Sequence, residues 1–179
     1  MAEDKHNNPV ATENNNSYSL DQIDQSWKAV DTATLLFVCK DQSILLIRKK
    51  RGLGEGKING PGGKQNKGES IEACAIREVQ EELCVTPTGV KAHGELRFQF
   101  IDGYSIHVHV FTASDYTGTP EETDEAEPLW FSIEAIPYED MWEDDEIWLP
   151  EVLNGKNING KFIFDGDKLL HHKLVVSDN

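Results

Sequence analysis

The chain has 179 residues, of which 38% are hydrophobic and 27% charged, so its length and composition indicate one folded domain with a sizeable core. Its 32 acidic residues against 17 lysines and arginines give a formal net charge of -15 at pH 7. This balance excludes nonspecific binding to duplex nucleic acid and argues against an anionic membrane surface, because both need clustered basic residues. Phosphate-bearing ligands would instead be bound through divalent cations.

Cysteine usage and the lack of targeting signals predict a soluble, cytoplasmic protein. Cys39, Cys74 and Cys84 lie in apolar or helical runs without the spacing of a zinc site, which predicts reduced, buried thiols. The amino terminus lacks the apolar core of a signal peptide. The longest unbroken apolar run, residues 35–39, is too short to cross a bilayer.

Residues 1–30 are predicted to form a polar, partly disordered extension ahead of a domain that spans residues 31–179. The first 17 residues are rich in asparagine and carry too few apolar side chains to pack. Leu20, Ile23 and Trp27 recur at helical spacing, which indicates either a short helix or an ordered tail.

The first half of the domain is predicted to contain two strands and one helix. The strands cover residues 34–39 and 43–48, with a turn at Asp41-Gln42. A basic cluster and a glycine-containing loop follow. Residues 70–83 form the helix, which Ser70 caps and which carries an apolar stripe.

The second half is predicted to be mostly strand. Asp102-Gly103 joins two longer strands in a hairpin. Further elements follow in order: strand 129–131, a helical turn at 133–136, helix 147–153, and strands 161–164 and 169–176. Because strands outnumber helices and their order is irregular, the fold class is α+β.

The stretch from residue 60 to residue 85 carries the clearest chemistry. Residues three and four apart share one helix face, so Glu78 neighbours both Glu81 and Glu82. Crowded carboxylates repel one another unless a hard divalent cation binds them. A run of this kind is by itself more often a solvated helix face. The glycine-rich loop before the helix allows close approach of its backbone to a metal or phosphate.

The full spacing resembles the Nudix signature. Gly63 is followed six residues later by Glu69, then after seven residues by Arg77-Glu78, and finally by Glu81-Glu82. Cys84 occupies the position where the family has glycine, which suggests a changed exit from the helix. The resemblance implies a Nudix fold, with a mixed sheet sandwiched between helices in three layers (α/β/α).

By this resemblance the protein is a metal-dependent hydrolase of nucleoside diphosphate derivatives. Mg²⁺, with Mn²⁺ as a substitute, would be the cofactor, and its predicted ligands are Gly63, Glu78, Glu81, Glu82 and Glu125. Arg77 and Glu69 would form a pair that fixes the loop to the helix. The carboxylate that accepts the proton of the attacking water is left open between Glu81, Glu82 and Glu125.

A wider resemblance runs from about residue 34 to residue 175, and it is carried by the stretches 49–52, 59–64, 118–120, 123–125 and 141–145. These stretches are similar to those of the eukaryotic-type MutT homologues, which hydrolyse oxidised purine nucleoside triphosphates. It implies conversion of 8-oxo-dGTP, and of 2-hydroxy-dATP as a further substrate, to the monophosphate and pyrophosphate. The implied substrate-binding residues are Thr34, Lys49, Asn59, Phe98, Phe100, Trp142, Asp144 and Asp145. Leu53 and Pro61 depart from that subfamily, which has aromatic pocket residues at both positions.

Other readings remain open at this stage. The substrate could be an unmodified nucleoside triphosphate, a nucleotide sugar or a dinucleoside polyphosphate, and a domain that only binds nucleotides is a further alternative. Trp130 and Trp148 are predicted to be core residues. His107 and His109 share one strand face and could bind metal, but a solvated or hydrogen-bonded pair is expected because no third ligand is nearby.

Overall fold

Eight strands form one mixed sheet with a helix on each face, in the computed structural model, which describes residues 18–179. The strands are β1 Asp31–Lys40, β2 Ser43–Lys49, β3 Ile58–Asn59, β4 Val85–Phe100, β5 Ser105–Gly118, β6 Ala126–Ser132, β7 Asn157–Asp165 and β8 Lys168–Ser177. The helices are α1 Ile71–Leu83 and α2 Asp145–Leu153. Short 3₁₀ turns occur at Leu20–Gln22, Ile133–Ala135 and Tyr138–Asp140. The α+β class and the three-layer arrangement are confirmed.

The strand order is β3-β2-β1-β5-β4-β7-β8, and β6 pairs with β2 beside this path. The pairs β1·β5 and β4·β7 are parallel, whereas the remaining pairs are antiparallel. The predicted hairpin at Asp102-Gly103 joins β4 to β5. A register shift between Ala92 and Gly94 marks a bulge in β4.

Alternation along the strands divides the core between the two faces of the sheet. On one face, Leu36, Val38 and Phe111 pack with Ala75 and Val79 of α1. The opposite face buries a larger cluster of aromatic and aliphatic side chains under α2: Phe37, Leu96, Phe98, Trp148, Leu149 and Phe162. No helix within residues 18–179 is long and apolar enough to cross a membrane.

The segment ahead of β1 is packed against the sheet from residue 18 onward. The short helix indicated by its spacing is a single 3₁₀ turn, Leu20–Gln22, yet Ile23 is fully buried. Trp27 donates its indole hydrogen to Gln99 Oε1 at 3.0 Å. The first 17 residues lie outside the described part of the chain, and the boundary after residue 30 stays a prediction.

Three residues differ from expectation. Cys84 is exposed and Cys39 is only partly buried, so the prediction of three buried thiols is wrong for Cys84 and holds only in part for Cys39. Cys84 also keeps the left-handed backbone of the usual glycine cap (φ 61°, ψ 22°), so the helix exit is unchanged. Trp130 is 42% exposed and packs its ring on Tyr116, whereas Trp148 is fully buried as predicted.

Candidate active site

Helix α1 presents its acidic side chains beside the glycine-rich loop. Ser70 caps the helix by accepting a hydrogen bond from the amide of Ala73 at 3.2 Å. The inward face carries Val79 and Leu83 into the core, and the same helical period turns Glu78 and Glu82 inward. Both carboxylates are buried, whereas Glu81 lies on the exposed side.

At two positions of the loop before α1, the neighbouring atoms are so close that only glycine fits. A Cβ at Gly63 would overlap the carboxylate of Glu78, and one at Gly62 would overlap the carbonyl oxygen of Thr34. The amide of Thr34 donates to the Gly63 carbonyl at 2.9 Å. This bond fixes the loop against β1, and the Gly63 oxygen also accepts a weak hydrogen bond from the Cys74 thiol at 3.8 Å.

Arg77 ties the loop to the helix. Its Nε and Nη2 donate to the two oxygens of Glu69 at 2.6 and 3.0 Å, a bidentate pair. Its Nη1 donates to Glu78 at 2.6 Å and to Glu81 at 3.0 Å, and Nη2 also reaches the carbonyl of Lys64. The hydrogen bonds from Arg77 lower the pKa of Glu69 to about 2.

Two buried carboxylates of α1 have raised pKa values. Burial raises the pKa of Glu82 to about 8, and the charges of Glu78 and Glu125 act in the same direction. Only a 3.2 Å hydrogen bond from the Gly62 amide and the charge of Lys49 oppose this shift. Burial also raises the pKa of Glu78, against the pull of Arg77. Buried carboxylates that resist ionisation fit a site that a cation completes.

The loop that joins β5 to β6 brings Glu125 to the end of α1. The hydroxyl of Thr123 donates to the carbonyl of Glu82 at 2.9 Å, and the amide of Lys50 donates to the carbonyl of Glu125 at 3.0 Å. The carboxylate of Glu125 pairs with Arg51. Its charge acts on both Glu78 and Glu82, so the sequence-distant acid belongs to the same electrostatic cluster.

A cavity of about 400 Å³ opens beside the glycine loop. All eight residues predicted to bind substrate line it: Thr34, Lys49, Asn59, Phe98, Phe100, Trp142, Asp144 and Asp145. Gly62 and Gly63 line its other end, so the cavity runs from the metal-ligand candidates to the aromatic cluster. The size suits a nucleoside.

The deep end of the cavity holds two adjacent carboxyl groups. Asp144 accepts a hydrogen bond from the Trp148 indole at 2.7 Å, and Asp145 accepts one from the Trp142 amide at 3.2 Å. Burial raises the pKa of Asp144 to about 6. Burial and the charge of Asp144 together raise the pKa of Asp145 well above its ordinary value. One carboxyl can therefore remain protonated and donate while its neighbour accepts.

The side wall of the cavity is aromatic. The ring of Trp142 packs edge-on against Phe164 at 5.5 Å and Phe100 at 6.2 Å between centroids. Asn59 donates to the carbonyl of Lys57 at 3.1 Å, which leaves its side-chain oxygen available. An aromatic wall with amide and carboxyl groups at one end can hold a planar, polar-edged base.

Several lining residues were not predicted from the sequence. Tyr104, Trp148 and Phe164 also face the cavity. Trp148 is the informative case, because a buried tryptophan four residues after Asp144 on one helix can reach its carboxylate. Of the two departures from the subfamily, Leu53 lines the cavity, whereas buried Pro61 does not; its carbonyl accepts from the Leu36 amide at 2.9 Å.

The NUDIX domain family model matches residues 28–152, and the chain belongs to this family. It is 44% identical over 143 residues to the oxidized purine nucleoside triphosphate hydrolase of Danio rerio, covering 79% of this chain and 92% of that protein. The enzyme of the same name from Mus musculus is 41% identical over 148 residues, covering 82% and 95%.

Solved structures agree on the fold. A MutT protein from Bacillus halodurans superposes with a TM-score of 0.74 at 24% identity, covering 81% of this chain and 97% of that one. A MutT NUDIX hydrolase from Burkholderia pseudomallei gives 0.56 at 26% identity, covering 60% and 86%.

Proposed function

We propose that this protein hydrolyses oxidised purine nucleoside triphosphates, 8-oxo-dGTP above all, to the monophosphate and pyrophosphate, and so cleans the nucleotide pool. Two relatives of at least 41% identity that carry this activity in their names support it. The observation that carries the proposal is the single cavity that joins the Gly62-Gly63 loop to the buried pair Asp144 and Asp145.

The triphosphate end of the site is assigned to the α1 carboxylates. Glu78, Glu81, Glu82, Glu125 and the Gly63 carbonyl would hold Mg²⁺, with Mn²⁺ as a substitute. The hard cation supplies charge neutralisation of the phosphate oxygens and orientation of water. Arg77 keeps Glu78 and Glu81 in place through its pair with Glu69. Lys49 also lines the cavity, and its positive charge complements that of a phosphate oxygen.

The proton of the attacking water must pass to a nearby carboxylate, for which Glu81, Glu82 and Glu125 are the candidates. Ionised Glu82 is costly to maintain without a neighbouring cation, because burial raises its pKa to about 8. The buried carboxylate would therefore be a functioning ligand or base only when positive charge is beside it.

The base end of the site is assigned to Trp142, Asn59 and the two aspartates. The indole would contact the face of the purine, while amide and carboxyl groups read its edge. A protonated Asp145 beside an ionised Asp144 offers one donor and one acceptor. This pair can serve purines with different edge patterns, such as 8-oxo-guanine and 2-hydroxy-adenine.

The test is pyrophosphate release from 8-oxo-dGTP, 2-hydroxy-dATP and dGTP, compared at matched Mg²⁺ for the wild type, Asp145→Asn and Asp144→Asn. We expect kcat/KM to favour the oxidised purines by about 10-fold or more in the wild type. Each Asn variant should lose that preference and its pH dependence between about pH 5 and 8, because an amide does not titrate.

Equal kcat/KM for dGTP and 8-oxo-dGTP would contradict the proposed substrate. A preference that is unchanged in both Asn variants would contradict the assignment of the aspartates. Glu134→Gln, a change at a surface turn away from the cavity, is the matched control and should leave all three rates unchanged.

A further inference from the structure

A cluster of metal-binding side chains lies on the α1 side of the sheet, away from the nucleotide cavity. His107 and His109 alternate with Ile106 and Val108, and the latter two line the cavity on the opposite face. Both histidines therefore point away from the aspartates and aromatic rings that surround the proposed base site.

The neighbouring strand adds a third ligand type. Glu95 of β4 pairs directly with His109 of β5, and its Oε2 lies 2.8 Å from His107 Nε2. The rings of His107 and His109 are 4.5 Å apart between centroids. One ligand atom from each of the three residues lies within 4.8 Å of the others. The expectation that no third ligand is nearby was wrong.

The carboxylate is held in place from outside the cluster. Arg97, two residues along β4, pairs with the other oxygen of Glu95 and is itself held by Asn159 Oδ1 at 2.9 Å. Trp27 covers His107 with an edge-on ring contact at 6.3 Å. Partners that orient a ligand in this way are typical of metal sites, because they fix its direction before a metal binds.

The donor set distinguishes this cluster from the α1 carboxylates. Two imidazoles and one carboxylate suit Zn²⁺ and similar transition-metal ions, whereas Mg²⁺ prefers oxygen ligands alone. Three protein ligands on a partly exposed face leave one coordination position for water. A metal here would cross-link β4 to β5 beside the segment that precedes β1.

We propose that Glu95, His107 and His109 form a second metal site, selective for Zn²⁺-like ions over Mg²⁺ and separate from the catalytic centre. Opposite strand faces separate this site from the nucleotide cavity. Ligand chemistry separates it from the α1 carboxylates, which lie on the same side of the sheet. The site does not depend on the substrate assigned above, so a failure of either assignment leaves the other intact.

The test uses the full chain with excess Mg²⁺, which occupies the carboxylate centre, and titrates ZnCl₂ by calorimetry. We expect one Zn²⁺ to bind the wild type. His109→Gln should weaken that binding by about 100-fold or more, since even the loss of an outer partner costs 10- to 100-fold. The matched control is His171→Gln, which removes an exposed histidine from β8 and should bind as the wild type does.

His109→Gln keeps the hydrogen bond between Glu95 and His107, so it removes a ligand without breaking that pair. Metal-free melting temperature and Mg²⁺-dependent hydrolysis of the variant should match the wild type. Zn²⁺ should raise the melting temperature of the wild type and of His171→Gln, but not of His109→Gln. The double change Glu95→Gln, His107→Gln should likewise abolish the effect.

A zinc-edge anomalous diffraction map then locates the ion. A peak between Glu95, His107 and His109 supports the proposal. A peak confined to Glu78 and Glu82, or equal Zn²⁺ affinity in the wild type and His109→Gln, would overturn it.

Discussion

The buried carboxyl group of Glu82 makes its own contribution to the pH dependence of the metal-free protein. The pKa of Glu82 is about 8 in the folded chain, against an ordinary value of 4.5. Because the folded pKa is the higher one, folding favours the protonated group. The contribution of Glu82 to the free energy of unfolding is therefore fully present below about pH 4.5 and is lost as the pH rises from there to about 8.

Glu82→Gln should remove this loss, because glutamine resembles the protonated acid and does not titrate. In EDTA at pH 8 we expect the variant to melt about 5 °C or more above the wild type, and at pH 5 to melt close to it. Thermal unfolding followed by circular dichroism at the two pH values measures the difference. Catalysis by the variant should fall by roughly 100- to 10,000-fold.

The exposed neighbour on the same helix provides the control. Glu81→Gln should change the free energy of unfolding by less than about 1 kcal/mol at either pH, as expected for a surface ion pair. A constant offset between Glu82→Gln and the wild type from pH 5 to pH 8 would mean that Glu82 is ionised in the folded protein.

Helix α1 ends in a conformation that its own sequence does not favour. Cys84 holds φ at 61°, where a β-carbon is strained, and its amide still donates to the Gln80 carbonyl at 3.0 Å. The backbone thus keeps the geometry of a glycine cap although a side chain is present. Beside this exit, the amide of Glu121 donates to the Leu83 carbonyl at 3.0 Å and the hydroxyl of Thr123 donates to the Glu82 carbonyl at 2.9 Å.

Cys84→Gly should therefore stabilise the protein by about 1 kcal/mol, or about 2–4 °C in melting temperature. The exposed thiol does not line the cavity, so kcat/KM should be unchanged. Cys84→Ala separates the two effects, because it removes the thiol but retains the strain. A lower melting temperature for the glycine variant, or an equal gain in both, would show that the backbone at residue 84 is not strained.

The local sequence pattern predicts the helices and hairpins, but it does not predict the contacts between distant strands. Ser70, the stripe through Val79 and the turn at Asp102-Gly103 could be predicted because capping, helical period and turn chemistry act within a few residues. Glu95 could not be joined to His109 from the sequence. Its register depends on the bulge near Ala92, which shifts the pairing of β4 by one residue.

At the scale of the whole molecule, residues 18–30 pack against the sheet ahead of β1. Ile23 has no exposed surface, and the hydroxyl of Tyr18 donates to the Ile101 carbonyl at 2.7 Å. Spacing at residues 20, 23 and 27 indicated an ordered element. The position of this segment on the sheet could not be predicted, because the spacing of apolar residues does not indicate which face of a sheet they cover.

Ile23→Ala should lower the free energy of unfolding by about 2 kcal/mol, the low end of the cost of truncating a buried isoleucine. Calorimetry should record a fall of about 4–8 °C in melting temperature. Val30→Ala is the matched change at a 65% exposed position and should shift it by less than about 1 °C. A similar small shift for Ile23→Ala would show that the segment contributes little to folding.

The part of the candidate site that could be predicted from the sequence is the part covered by the Nudix signature. The positions from Gly63 to Glu82 are fixed by one loop and one helix, so their proximity follows from the sequence. Asp144 and Asp145 could be attached to the site only by resemblance, since they lie on the opposite face of the sheet from α1. Tyr104 and Phe164 went unpredicted because their role depends on where the strands cross the cavity.

The parallel pairing of β1 with β5 has a consequence for the growing chain. Val38 pairs with Leu45 at once, but Ala33 finds its partner Val108 only after β4 and the start of β5 have been made. Closing so long a loop is entropically expensive and slows folding. During synthesis on the ribosome, helix α1 is therefore complete well before the sheet beneath it can form. Until β5 is made, the apolar edge of β1 remains unpaired.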